Sequence, residues 1–135
     1  MTNDNRRRNI AAELLRSREC LLAARALVDQ RLGNDAVSRA YYAAYHVARA
    51  LLLTLGLEAR THAGLARLLK LHFEARVGEE QVSAFARLQT FRHAADYDAE
   101  TRFEAEEASG EVEKAEEFAT RGTALLAGEG WLESA

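Results

Sequence analysis

The 135 residues include no proline, one cysteine and one tryptophan, and each shortage excludes something. Proline breaks helices by removing a backbone donor and clashing with the preceding turn. A chain without it, rich in Ala, Leu, Arg and Glu and with glycine held to 8, has nothing to interrupt long helices, so the expected class is all-α. Cys20 cannot close an internal disulfide and has no second cysteine for a zinc or redox pair; it reads as a small buried or half-buried side chain. The longest apolar stretch, around residues 50–57, is far too short to cross a bilayer. After the basic start at residues 6–8, Glu13, Arg16, Arg18 and Glu19 break up the apolar run that a secretory signal needs. A cytoplasmic protein with no membrane partner is expected.

What is present fits one domain: 48% hydrophobic and 29% charged residues in a length typical of a single packed unit. The net charge of -3 is unevenly spread, with ten basic against six acidic residues over 1–60, five against four over 61–97, and three against eleven over 98–135. An isoelectric point near 5.8 argues against extensive tracking of nucleic-acid phosphates, although a local basic surface remains open to the first two thirds.

Glycine divides the chain into helical segments. The first, 9–32, places Ile10, Leu14, Leu21, Ala24 and Val28 on one stripe, widened by Leu15 and Leu22, with Gly33 and Asn34 as its C-terminal stop. The second opens at Asp35 as an N-cap and runs to Leu55 before Gly56; Val37, Tyr41, Ala44, Ala48, Leu51 and Leu55 recur at steps of four and three. That regular seam predicts the central helix. The third runs from Thr61 to Val77 and buries Leu65, Leu68, Leu69 and Phe73. The fourth starts at the acidic pair Glu79 and Glu80 and carries Val82, Phe85, Leu88, Phe91 and Ala95 to its end near Tyr97 and Asp98. The fifth, 103–127, is apolar through Ala108, Val112, Ala115, Phe118, Ala119, Leu125 and Leu126. Short connections predict an up-and-down bundle over 9–127, preceded by a flexible segment at 1–8 and followed by a tail at 128–135 in which Trp131 either packs loosely or anchors a partner.

No H-E-x-x-H, Gly-rich phosphate loop, C-x-x-C or nucleophile elbow occurs, and His46, His62, His72 and His93 form no metal set, so no metal and no cofactor is expected. His62, next to Thr61 at a helix start, reads as a capping or surface residue. Two clusters carry polar chemistry. In the second segment Tyr41, Tyr42, Tyr45, His46 and Arg49 lie within three turns, and a helix covered on so many sides must meet several neighbours, a second subunit among the candidates. At the end of the fourth, Arg92 and Asp96 are four apart, which fits an intrahelical ion pair worth a few tenths of a kcal/mol, or an arginine oriented toward phosphate with the Tyr97 hydroxyl presented beside it.

The run 38–52, then Gly56-Leu57-Glu58, Thr61-His62, and Arg92-x-x-Ala95-Asp96-Tyr97-Asp98 together resemble the HEPN superfamily over residues 10–127, and most closely its small stand-alone bacterial and archaeal proteins. The resemblance implies a four-helix up-and-down bundle with an additional short helix, usually dimeric. Active HEPN ribonucleases carry an arginine followed after four to six residues by a histidine and cleave RNA without metal, the histidine moving a proton and the arginine stabilising charge on the phosphorane. Arg39 with His46, Arg67 with His72 and Arg87 with His93 all satisfy that string, which makes it nonspecific here. By position the arginine corresponds to Arg92, and Tyr97 then stands where the histidine is expected; a phenol titrating near 10 is a poor general base at neutral pH.

The tyrosine suits another role that the resemblance implies. HEPN proteins often pair with a minimal nucleotidyltransferase in modules similar to toxin–antitoxin systems, and some are nucleotidylated on a tyrosine near the motif. The leading expectation is therefore a component of such a module that binds nucleotide or RNA near Arg92 and Tyr97, with Asp96, Tyr45, His46 and Arg49 contributing and Tyr97 as acceptor. Alternatives are a metal-independent endoribonuclease toxin, catalytic through Arg92 and Tyr97 at a dimer interface, and a helical interaction module without ligand.

Overall fold

The computed structural model describes residues 2–133, so Met1 of the expected leading segment and residues 134 and 135 of the expected tail lie outside the described residues. Five helices follow in order: α1 (Asn3–Asp29), α2 (Gly33–Leu53), α3 (His62–Val77), α4 (Glu79–Tyr97) and α5 (Ala105–Gly128), with no strand among the described residues. The all-α class and the five helical segments are as expected.

α2 is central, packing against each of the other four helices and burying 14 of its 21 residues. Its buried face is dominated by alanines, including Ala36, Ala40, Ala43, Ala44 and Ala48, which let neighbouring backbones come close. Gly122 of α5 marks one such approach: a Cβ there would lie 2.4 Å from Cγ1 of Val47. The seam residues Val37, Tyr41, Ala44, Ala48 and Leu51 are fully buried. Tyr41, Phe85 and Phe118 stack in sequence across the core, with ring centroids 5.7 and 5.6 Å apart, so aromatic groups from α2, α4 and α5 share one interior.

Several boundaries differ from the sequence expectation. Residues 3–8, expected to be a flexible lead-in, are helical, because Thr2 caps α1 by accepting from the Asn5 backbone N–H at 3.2 Å. Leu15 and Leu22 do not widen the buried stripe; both are more than half exposed, one position off the Ile10, Leu14, Ser17, Ala24 face. Gly33 and Asn34 do not end α1. Arg31 takes the positive-φ turn (φ 59°), and Gly33 opens α2, where a Cβ would lie 1.9 Å from the Phe103 carbonyl oxygen. Asn34 then ties the α4–α5 connection to the start of α2: its amide donates to the Thr101 carbonyl at 2.9 Å and accepts from the Phe103 N–H at 2.9 Å. α2 also stops two residues short of Leu55, which is exposed, as the Thr54 hydroxyl donates back to the Leu51 carbonyl at 2.7 Å.

Nor does Asp35 cap α2: the N-cap position is Leu32, with no side-chain hydrogen bond, and Asp35 lies inside the first turn because the helix already starts at Gly33. Thr61 caps α3 by accepting from the Gly64 N–H at 2.9 Å, and Gly78, at φ 103°, is the single residue between α3 and α4. Glu104 and Glu107 form a reciprocal capping box at the start of α5. Within the tail, Trp131 is half-buried against the core with the Arg7 guanidinium 5.2 Å from its ring. The tail thus lies across the beginning of α1. No helix of the described residues is long and apolar enough to cross a membrane.

Candidate functional site

Arg92 occupies the last full turn of α4 before Tyr97, and the face that carries Val82, Phe85 and Leu88 into the core carries it inward too. It is only 6% exposed. Its guanidinium lies 5.3 Å from the ring of Tyr41, 5.9 Å from Tyr42 and 5.9 Å from Tyr97. The intrahelical pair with Asp96 is present but loose, at 3.6 Å, and Asp96 is also within 3.5 Å of the Ser38 hydroxyl. Nε of Arg92 is buried without a hydrogen-bond partner. A buried cation with one distant carboxylate and an unused donor is incompletely compensated, and tyrosine faces supply only part of the lost solvation.

Tyr41 and Tyr42 come from α2, which adds a third ring, Tyr45, while Tyr97 belongs to α4. Tyr41 points into the core, while Tyr42 and Tyr45, one and four residues on, are half-buried and flank it at 5.2 and 6.0 Å. His62, the first residue of α3, meets all three at 5.4, 6.1 and 5.3 Å and places Nδ1 2.6 Å from the Tyr41 hydroxyl. Burial, and then the positive charge of Arg92, lowers the pKa of His62; burial raises that of the Tyr41 phenol well above its ordinary range. The sequence reading assigned His62 to a cap or the surface, yet Thr61 makes the cap and His62 turns to Tyr41. Its position straight after Thr61 sets it in the first turn of α3, whereas its partner is decided by how α3 packs on α2.

Tyr97 is 72% exposed, its ring 4.9 Å from that of the exposed His93. The turn beyond it is held by Asp98, which accepts from the Thr101 hydroxyl at 2.7 Å and the Glu100 N–H at 3.0 Å; these bonds lower the Asp98 pKa. The Tyr97 hydroxyl is thereby presented from a fixed helix end.

His46 and Arg49 belong to a different arrangement. Glu13 of α1, which the sequence did not single out, is half-buried and faces both: Oε2 is hydrogen-bonded to His46 Nδ1 at 2.7 Å and Oε1 is ion-paired with Arg49 Nε at 3.4 Å. Arg49 also donates to the Tyr45 hydroxyl at 3.1 Å. Tyr45 joins the two groups, with its ring 5.2 Å from His46 and 5.3 Å from His62. Of the expected site residues, Arg92, Asp96 and Tyr97 therefore cluster with Tyr41 and Tyr42, Tyr45 stands between, and His46 and Arg49 are committed to Glu13. The three arginine–histidine strings are not brought together as pairs: Arg39 lies over Tyr42 while His46 binds Glu13, Arg87 pairs with Glu111 while His93 stacks on Tyr97, and Arg67 and His72 are exposed on α3. Among the described residues no group of three or more His, Cys, Asp and Glu side chains is arranged to hold a metal ion.

The chain is similar in sequence to known proteins. The family model described as the HEPN domain matches residues 11–123. A Methanocaldococcus jannaschii protein named "Putative toxin" is 37% identical over 123 residues, covering 90% of this chain and 91% of the relative. A UPF0332 protein of Thermotoga maritima is 33% identical over 105 residues, covering 76% of this chain and 80% of its own length. A UPF0332 protein of Pyrococcus horikoshii is 44% identical over 55 residues, covering 41% of this chain and 39% of that protein.

Proposed function

The chain belongs to the HEPN domain family, and from that premise we propose that it is the HEPN component of a toxin–antitoxin-like module linked to a nucleotidyltransferase, binding a nucleotide or RNA at Arg92. The observation that carries the reading is the state of Arg92: a cation 6% exposed, set among three tyrosine rings, with Nε unpaired and its carboxylate at 3.6 Å. Such a group gains from an anion that brings its own acceptor oxygens, and a phosphate supplies them in the geometry a guanidinium fits. The neighbouring half-buried Tyr42 and Tyr45 add faces on which a base can stack. The toxin name of the Methanocaldococcus relative supports the module.

Within that module Tyr97 is the acceptor. Its phenolic oxygen attacks the α-phosphorus of a nucleoside triphosphate held by the partner transferase, the bond to the bridging oxygen breaks, pyrophosphate leaves, and the phenolic proton passes to a base of the transferase. The exposure of Tyr97 suits a site that a second protein must reach, and Arg92, 5.9 Å from its ring, stands where it attracts the incoming phosphate. Incubation with the cognate transferase and ATP followed by intact mass spectrometry tests this: wild type gains one nucleotidyl group and Tyr97→Phe does not. An unchanged wild-type mass with a demonstrably active transferase overturns it.

The second reading is a metal-independent endoribonuclease acting as a homodimer, favoured by the histidine that α3 brings to the Arg92 cluster. RNA cleavage abolished by Arg92→Ala, in a protein that elutes as a dimer, distinguishes it from the first.

A further inference from the structure

His62 is the group at this site whose hydrogen bonding is most constrained. Tyr41 is fully buried, so its hydroxyl hydrogen must be donated within the protein, and the partner the structure gives it is His62 Nδ1 at 2.6 Å. Donation to Nδ1 uses the imidazole lone pair and leaves the ring proton on Nε2. The opposite tautomer would set an N–H against the hydroxyl oxygen and strand the hydroxyl hydrogen. The same two rings, Tyr41 and Tyr42, carry both the imidazole, at 5.4 and 6.1 Å, and the Arg92 guanidinium, at 5.3 and 5.9 Å. A half-buried N–H donor and a buried, incompletely paired cation therefore share one aromatic support.

We infer that His62 is a ligand-binding residue of this site, locked by the Tyr41 hydroxyl so that its Nε2–H donates to a phosphoryl oxygen of the nucleotide or RNA that Arg92 attracts. The inference rests on the reading of Arg92 given above. A phosphate has several acceptor oxygens, so it takes a donor from an imidazole and donors from a guanidinium at once. Burial and the charge of Arg92 keep His62 neutral near neutral pH, which makes it a hydrogen-bond donor rather than a second cation. Tyr41 is the positioning residue: it touches no ligand and acts by fixing which nitrogen carries the proton.

Two measurements on the full chain test this. Nitrogen-15 NMR of the imidazole at neutral pH reads the tautomer, and titration with fluorescently labelled ATP and with a 5′-phosphorylated single-stranded RNA reads affinity. The expected tautomer is Nε2–H. His62→Phe, which keeps a ring and removes the donor, weakens binding of the better probe by about tenfold, and His62→Gln, whose amide restores a donor, recovers most of the loss. Tyr41→Phe mixes the tautomers in the spectrum and weakens binding a few-fold. If the Phe variant does not fold, His62→Gln against His62→Leu makes the same comparison. An Nδ1–H tautomer overturns the inference. So does binding within about twofold of wild type after donor removal while Arg92→Ala abolishes it, and in that case the Arg92 reading stands. A wild type that binds neither probe overturns both.

Discussion

Two arginines lie against the tyrosines of α2, Arg49 over Tyr45 and Arg92 over Tyr41 and Tyr42, and they have opposite fates. Arg49 is 44% exposed and closes onto Glu13, which also holds His46, and onto the Tyr45 hydroxyl, so the charges in that group are matched within the protein. Arg92 is buried, its carboxylate partner is 3.6 Å away, and one donor has no acceptor. A closed network of this kind holds α1 against α2 and has little to offer a ligand. An open one is costly to the fold, because desolvating a guanidinium is repaid only by good hydrogen bonds, and that cost is the ground on which Arg92 is proposed to take an external anion. The sequence clusters containing these residues looked alike; the supply of carboxylates separates them.

The largest effect expected on that comparison is on binding. Arg92→Met keeps the side-chain volume and removes the cation, so affinity for the phosphate-bearing probe falls about 100-fold, while the unfolding free energy in urea stays within about 1 kcal/mol of wild type. A large loss of stability with affinity intact would reverse the assignment. Next is Glu13→Gln, which leaves His46 and Arg49 without their shared carboxylate. Urea unfolding is expected to show a loss of about 2 kcal/mol with affinity essentially unchanged, and the same variant losing binding without losing stability would move the site to the α1–α2 side.

The smallest effect is in pH dependence. Burial, and secondly Arg92, hold the folded-state pKa of His62 below its reference of 6.5, so below that pH the unfolded chain binds a proton that the folded chain resists. Stability from this group is therefore complete above about pH 6.5 and declines as the pH falls through the lowered folded value. In urea unfolding across that range His62→Gln flattens the slope, and an unchanged slope would remove His62 as its source.

Helix class, helix number and most termini were legible in the sequence because they depend on local chemistry: no proline, caps at Thr61 and Gly78, an acidic start to α4 and α5, and a three-four apolar period on α2. The misplaced boundaries have two causes, a tertiary contact at Gly33 and local hydrogen bonds at Thr2 and Thr54. Gly33 looked like a helix stop, but it is a glycine because the Phe103 carbonyl needs the space of its absent side chain. Leu55 continued the seam by spacing, yet α2 had already ended at the Thr54 hydrogen bond.

The candidate site divides in the same way. That Arg92, Asp96 and Tyr97 share the end of one helix follows from their lying four and five residues apart, and the sequence determined it alone. That Arg92 is buried, that His62 of α3 meets the Tyr41 hydroxyl, and that Glu13 claims His46 and Arg49 were decided only when α1, α3 and α4 packed around α2. Spacing along one helix fixes which side chains share a face. Which charge is neutralised and which is left wanting a partner depends on the face each neighbouring helix turns toward it, and that is set by close packing of the whole bundle.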